Sequence, residues 1–439
     1  MRVVHLAAEA LPFVKVGGLA DVLGSLPRAL AKAGLQTTVV LPRYTGAGAV
    51  GELLGELGYH FAGGTHNARI WGAQAGGVSY RFLEVDPDWS VPYEQPEVER
   101  YLRFNRAAAV WLEGQGYDLL HAHDWHAAHA VRLVDRPAVF TIHNLAFQGV
   151  LEPDEYQRLT GSAPDPDLLH EGRVNLMKGA LLAARRVTTV SPRYAREIQT
   201  PEYGMGLHRV LGDIRGKLAG ILNGLDTGYW NPATDSLLPQ RYDAANLERR
   251  SGNRAALLDE TGLDPNLRLL GAVTRLTWQK GFDLVLEALP GLLDLGAGLV
   301  LLGTGEIELE SGFAAAARRY PERVAFHAAF DEILAHKIYG GADYFLMPSR
   351  YEPCGLAQMI AMRYGAPPVA RATGGLADTI EDGVTGVLFE PASPAGVVEG
   401  VRRMLELDRE SLARAGMARD FSWDSSARAY QELYQEAVS

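Results

Sequence analysis

The sequence predicts an α/β protein built from two doubly wound, parallel-sheet domains. Three observations carry that expectation. Short apolar runs, each ending in a polar or glycine-containing loop, alternate with stretches of helical periodicity along the chain. The alternation lapses in a Pro-containing segment that runs to about Pro239 and then begins again. The 439 residues exceed what one hydrophobic core usually supports, so two domains of about 200 residues each are expected. Residues 1–237 and 238–419 are assigned to them, with a last helix at about 420–439.

In the first half, residues 2–7 read as a strand, followed by Pro12, the loop Lys15-Val16-Gly17-Gly18-Leu19-Ala20-Asp21 and an amphipathic helix to about Gly34. Such a loop can present N–H groups and a positive helix end to an anion, with Lys15 adding charge. Gly17 and Gly18 could equally serve a plain turn by relieving sterics. Residues 37–41 and 80–85 are further strands, and the glycine-rich stretch from Gly48 to about Gly77 should carry a hairpin or long loop. Residues 98–113 have helical periodicity. Residues 118–123 close another strand-to-helix unit, with Asp124-Trp125-His126 in its loop.

The strand at 138–142 ends in His143-Asn144, groups able to bond sugar hydroxyls or simply to stabilise their loop. Residues 185–190 lead to Ser191-Pro192, a cap and first-turn proline for a helix. Asn223-Gly224-Leu225-Asp226 signals a turn. His121, His123, His126 and His129 invite a metal reading, but they mix strand, loop and helix positions, without a His-Glu-x-x-His helix or cysteine cluster. No metal is expected.

The second half repeats the pattern: a strand at 268–273, its loop 275–281 and a helix at 282–293. Strand-like runs follow at 299–302, 324–326, 344–347, 368–370 and 386–389, with helices at 358–364, 394–407 and about 425–437. Gly303-Thr304-Gly305-Glu306 lacks the third glycine of a dinucleotide fingerprint and is weak evidence for one. The loop from Pro348 to Leu356 follows the 344–347 strand, at the sheet edge where α/β proteins bind ligands. Glu352 is therefore expected beside a substrate. Arg275, Lys280 and Thr373-Gly374-Gly375 join it, giving two cations, a carboxylate and a glycine turn suited to a sugar on a diphosphate.

Apolar residues make up 47% of the chain and charged residues 22%, ordinary for a globular enzyme and without the pattern of membrane spans. A net charge of -11 argues against nucleic-acid and anionic-membrane partners. Cys354 is the sole cysteine, which excludes an internal disulfide and suggests a reducing compartment. With a strand in place of a signal peptide at the N-terminus, the expected location is the cytoplasm.

Taken together and in order, these motifs resemble those of bacterial glycogen synthases and plant starch synthases, retaining glucosyltransferases with the GT-B fold. The resemblance spans essentially the whole chain: residues 15–21, His121 to His126, Phe140 to Ala146, Val187 to Pro192 and Asn223 to Asp226, then Arg275 to Gly281, Pro348 to Leu356 and Thr373 to Asp378. It implies two Rossmann-like domains facing across a cleft, with the terminal helix crossing back onto the first. It also implies transfer of glucose from ADP-glucose to the nonreducing end of an α-1,4-glucan, with no cofactor. The competing activities are a UDP-glucose-dependent transferase, a sucrose or small-glucoside synthase, a phosphorylase carrying pyridoxal phosphate, and a non-catalytic glucan-binding protein.

By the same resemblance, Arg275 and Lys280 hold the diphosphate with Lys15, Gly17, Gly18, Gly374 and Gly375, while Glu352 orients the sugar near Cys354, Gly355, Leu356 and Thr373. His143, Asn144 and Asp21 line the sugar pocket, and Asp124 serves the acceptor. His143 stands where a retaining nucleophile would, so departure on the front face is the expected route. Two positions depart from the wider pattern: Ile360 replaces a second glutamate, and Phe330 stands where a tyrosine would stack on adenine, core packing being its alternative role.

Overall fold

The computed structural model describes residues 1–47 and 51–439; Gly48, where the glycine-rich stretch begins, lies outside the described residues. The chain forms two compact units, residues 1–224 with 423–439, and residues 225–422. The segment 225–237, assigned from sequence to the first domain, groups with the second. Asp235 anchors it there, accepting hydrogen bonds from His336 Nδ1 and Tyr364 Oη at 2.6 Å each. The Trp230 ring stacks on His336 at 4.4 Å.

The first unit is built on a nine-stranded sheet. Strand Arg2–Leu6 lies between Gln36–Pro42 and Leu119–His123, all parallel. Val78–Glu84 extends one side in parallel, while Gly64–Ala75 and Glu52–Phe61 add an antiparallel hairpin beyond it. Ala138–Ile142, Arg186–Thr189 and Leu218–Gly220 extend the other side, again parallel. Strands Leu119–His123 and Ala138–Ile142 are buried along their whole length, which is why they read as uninterrupted runs and not as alternating patterns. The order reverses between Arg2–Leu6 and Leu119–His123, and the loops that leave those two strands diverge there.

The second unit has a six-stranded all-parallel sheet, ordered Val324–His327, Ala297–Leu302, Arg268–Val273, Tyr344–Met347, Pro368–Arg371 and Val387–Phe389. Its reversal lies between Arg268–Val273 and Tyr344–Met347. The loops carrying Arg275, Lys280 and Glu352 therefore emerge side by side.

Helix Trp423–Val438 returns to the first unit, burying Trp423, Tyr430 and Tyr434. Tyr434 Oη bonds His121 Nδ1 at 2.7 Å, and Gln431 Nε2 donates to the Ala33 carbonyl at 3.0 Å. Gly224 admits this helix, since a Cβ there would sit 2.6 Å from Trp423 Cα. Ser191 caps helix Pro192–Glu197 through the Tyr194 N–H, with proline at the first turn, as its sequence predicts. Among the described residues no helix is long and apolar enough to cross a membrane.

Candidate active site

At the reversal of the second sheet, Lys280 Nζ lies 2.6 Å from Glu352 Oε2, and Ser349 Oγ donates to the same oxygen at 2.9 Å. Glu352 is buried, so its charge needs these partners, whereas Lys280 keeps one face toward solvent. An ammonium has three donors, and this contact uses one. Arg275 is exposed and, among the described residues, has no carboxylate partner. A free guanidinium beside a lysine–carboxylate pair can fork onto phosphate oxygens while the pair stays intact.

The two loops are stitched together by backbone. Arg350 N–H donates to the Gln279 carbonyl at 2.8 Å, and Gln279 Nε2 donates to that of Tyr351 at 3.3 Å. The Arg350 guanidinium grips both oxygens of Asp283, at 2.7 and 2.6 Å, and lies 4.7 Å over the Trp278 ring. Gly281, at φ +69°, passes so close to Pro348 that a Cβ would stand 2.2 Å from its carbonyl oxygen. Any larger residue there would push the Lys280 loop off the Glu352 loop.

The Thr373-Gly374-Gly375 turn serves this loop as well. Gly374 has φ +44°, and a Cβ on it would fall 1.9 Å from the Glu352 carbonyl oxygen. Gly375 N–H donates to that carbonyl at 3.0 Å. The expectation that both glycine N–H groups face phosphate is corrected for Gly375, whose donor is spent holding Glu352 in place. Cys354 is buried, and Gln358 Nε2 fixes its neighbourhood by donating to the carbonyls of Cys354 and Gly355, both at 3.0 Å. Leu356 is half-buried at the start of helix Ala357–Arg363.

Phe330 is 92% exposed, which removes core packing as its role and leaves an open aromatic face. Ile360 is buried in the apolar core. The Gly303-x-Gly305 pair has a purely steric job: a Cβ at either would come within 2.0 Å of the carbonyl oxygen of Thr274 or Leu276. It packs one loop against another.

In the first unit, sequence reading missed the residue that shapes the glycine loop. Glu9 is buried, and its carboxylate accepts from the N–H groups of Val16 and Gly17 and from Tyr93 Oη at 3.0 Å. Burial raises its pKa, an effect these hydrogen bonds oppose. The signal was present as a lone carboxylate inside Ala7-Ala8-Glu9-Ala10. The Gly17 N–H is thus engaged internally, a correction to its expected anion role. A Cβ on Gly18 would meet nothing within 4 Å, so that side of the loop is open. Lys15 and Asp21 form a partly exposed ion pair at 2.8 Å.

Asp124 is buried, with its Oδ1 accepting from the N–H groups of His143 at 2.7 Å and Asn144 at 3.2 Å. Burial pushes its carboxyl up to about 7 against the opposing pull of those bonds. One oxygen of the carboxylate expected at the acceptor positions the next strand's terminal loop. Asn144 Oδ1 accepts from Ala146 N–H at 3.1 Å, shaping the same turn. His143 is half-buried, and desolvation lowers its pKa to about 3, so the ring is neutral. Of the four histidines considered for a metal, His121 and His123 lie together with His5, with one ligand atom of each within 4.8 Å of the others. His126 and His129 lie elsewhere: His126 pairs with Glu97 at 3.4 Å, and His129 packs on Tyr156.

Comparison with known proteins identifies the family. Residues 2–213 match the family described as starch synthase catalytic domain, and residues 253–419 match glycosyl transferases group 1. The glycogen synthase of Thermus thermophilus is 48% identical, with all of both chains covered. Glycogen synthase 1 of Methylococcus capsulatus is 41% identical over all of this chain and 97% of its own. The catalytic domain of starch synthase IV from Arabidopsis thaliana, solved with ADP and acarbose, superposes with a TM-score of 0.91 at 35% identity, covering 99% of each chain. A sucrose-phosphate synthase from Thermosynechococcus elongatus shares the fold at a TM-score of 0.66 and 20% identity, covering 99% of this chain and 98% of its own. This chain is a GT-B glycosyltransferase and belongs to the family of glycogen and starch synthases.

Proposed function

We propose that the protein transfers glucose from ADP-glucose to the nonreducing end of an α-1,4-glucan with retention of configuration, releasing ADP in the cytoplasm. The observation that carries this is the grouping of Arg275, Lys280 and Glu352 at the reversal point of the second sheet. Breaking the glycosidic bond leaves negative charge on the diphosphate and positive charge on the sugar, and catalysis must stabilise both. Arg275 grips the diphosphate with two parallel N–H groups. Lys280 spans the two charges, with Glu352 on one side and donors left for phosphate on the other. Glu352, buried and held by Ser349 and Lys280, balances the oxocarbenium-like sugar.

Phe330 offers its open face to adenine. His143 is uncharged and so is no imidazolium acid for the leaving group; it bonds a sugar hydroxyl while glucose departs and is captured on the same face. Asp124 holds His143 and Asn144 in register for that contact. Lys15 is the cation of the glycine loop.

A donor screen on glycogen, reading release of nucleoside diphosphate and incorporation of labelled glucose, tests the assignment. ADP-glucose should be preferred over UDP-glucose. Arg275→Ala and Lys280→Ala should each lower turnover by about a hundredfold or more, the range for losing one charge-stabilising group. Glucan affinity should be unchanged. Wild-type turnover in either variant would remove that residue from the mechanism.

A further inference from the structure

Behind His143 runs a row of buried imidazoles. His143 Nε2 lies 3.0 Å from His123 Nδ1, and His123 Nε2 lies 3.2 Å from His5 Nδ1. His5 and His123 are completely buried, whereas His143 is half-buried and is the one ring of the three that reaches the surface. Burial holds all three neutral. A neutral imidazole carries one proton on one of two nitrogens, so three protons must be shared over two nitrogen–nitrogen bridges. Each bridge needs one proton, since two would clash and none would set lone pair against lone pair.

Only two arrangements satisfy both bridges. If the bonds run toward His5, His143 donates from Nε2 and the last proton sits on His5 Nε2. That nitrogen is buried with no hydrogen-bond partner, and a buried orphan N–H is among the rarest groups in folded proteins. If they run outward, His5 Nδ1 donates to His123, His123 Nδ1 donates to His143, and the orphan is a bare nitrogen. The proton of His143 is then on Nδ1, which has no partner among the described residues. His121, packed 4.0 Å from His123, takes no part: its Nδ1 bonds Tyr434 and its Nε2 bonds Thr141 at 2.6 Å. Those occupied nitrogens also deny a metal its third ligand.

We propose that His5 and His123 are positioning residues that fix His143 as the Nδ1–H tautomer, making it a hydrogen-bond donor to an acceptor oxygen of the donor sugar. The inference deepens the transfer reading and rests on it for the identity of the sugar; the tautomer itself does not. Both arrangements make both bridges, so the bias comes from the orphan N–H, whose desolvation favours the outward arrangement by about fivefold or more.

The test is two-bond proton–nitrogen correlation on the full chain labelled with 15N-histidine, at neutral pH and without substrate. Signals are assigned by single His→Gln variants. The expected result is a protonated Nδ1 and bare Nε2 on His143, with a bare Nε2 on His5. Protonated Nε2 on His143, or an even mixture, overturns the proposal, as does zinc titration that moves His5 and His123 to metal-bound positions. His5→Phe leaves His123 Nε2 as the buried orphan, so the same rule keeps the His143 proton on Nδ1. His5→Asp, which sets an acceptor against His123 Nε2, should instead draw that proton to Nε2 and raise KM for the sugar donor about fivefold. Should His5→Asp fail to fold, the wild-type spectrum and His5→Phe still decide the matter. A reversed tautomer with KM unchanged in a folded His5→Asp would refute the link to the sugar, and a donor screen without transfer would refute the transfer reading alone.

Discussion

Replacing Asp124 with asparagine should flatten the pH dependence of stability between about pH 4 and 7. Asparagine keeps the Oδ1 acceptor for the His143 and Asn144 N–H groups and, having the shape of aspartate, adds no new strain at this position. It lacks the titrating proton. Burial raises the Asp124 pKa from an ordinary 3.8 to about 7, with nearby Glu9 adding in the same direction. A folded-state pKa above the unfolded one means that the stability linked to this proton is fully present below pH 3.8 and is lost as pH rises through 7. A shift of about 3 units, at roughly 1.4 kcal/mol each, sets a ceiling of about 4 kcal/mol.

Between pH 5 and pH 8.5 some 2 units of that loss remain, or roughly 3 kcal/mol. Urea unfolding of wild type and Asp124→Asn at the two pH values measures it. The wild type should lose about 3 kcal/mol more than the variant across the window. Parallel pH profiles within about 0.5 kcal/mol would show that the carboxylate is not held protonated by its burial, and the electrostatic account of this loop would fall.

On the acid side the sign reverses, because burial lowers His129 from 6.5 to about 4, so its contribution is present above pH 6.5 and is lost as pH falls toward 4. His129→Gln should recover roughly 3 kcal/mol at pH 4 relative to pH 7.5, and an unchanged acid limb in urea titrations would contradict this. Gly374→Ala, with its Cβ 1.9 Å from the Glu352 carbonyl and φ of +44°, should cost about 3 kcal/mol or more and abolish turnover. A near-wild-type melting temperature and rate would show that the turn yields. Phe330→Ala should raise KM for ADP-glucose about tenfold and Phe330→Tyr should not, as the stacking face alone is at stake. Steady-state kinetics with equal KM for all three proteins would separate Phe330 from adenine.

The strands most legible in the sequence were those buried on both faces. Ala138–Ile142, Arg268–Val273 and Tyr344–Met347 have the predicted bounds because continuous apolar runs ending in polar loops admit few other readings. Helices Arg250–Thr261 and Arg409–Met417 escaped notice, since each buries only a few side chains among charged ones and its apolar stripe is faint. The antiparallel hairpin Glu52–Phe61 with Gly64–Ala75 was expected only as a hairpin or long loop, because many of its residues are exposed and its pattern is weak.

The sequence by itself determined the α/β class, the restart of the pattern in a second sheet, and the placing of Arg275, Lys280 and Glu352 on loops after strands. These follow from local periodicity and from the polarity of loop residues, which neighbours in sequence control. Only the tertiary structure decided which donors were already spent: Gly17 N–H on Glu9, Gly375 N–H on the Glu352 carbonyl, and both nitrogens of His121 on Thr141 and Tyr434. Those partners lie between 8 and 313 residues apart along the chain, and hydrogen-bond satisfaction is a property of who is nearby in space.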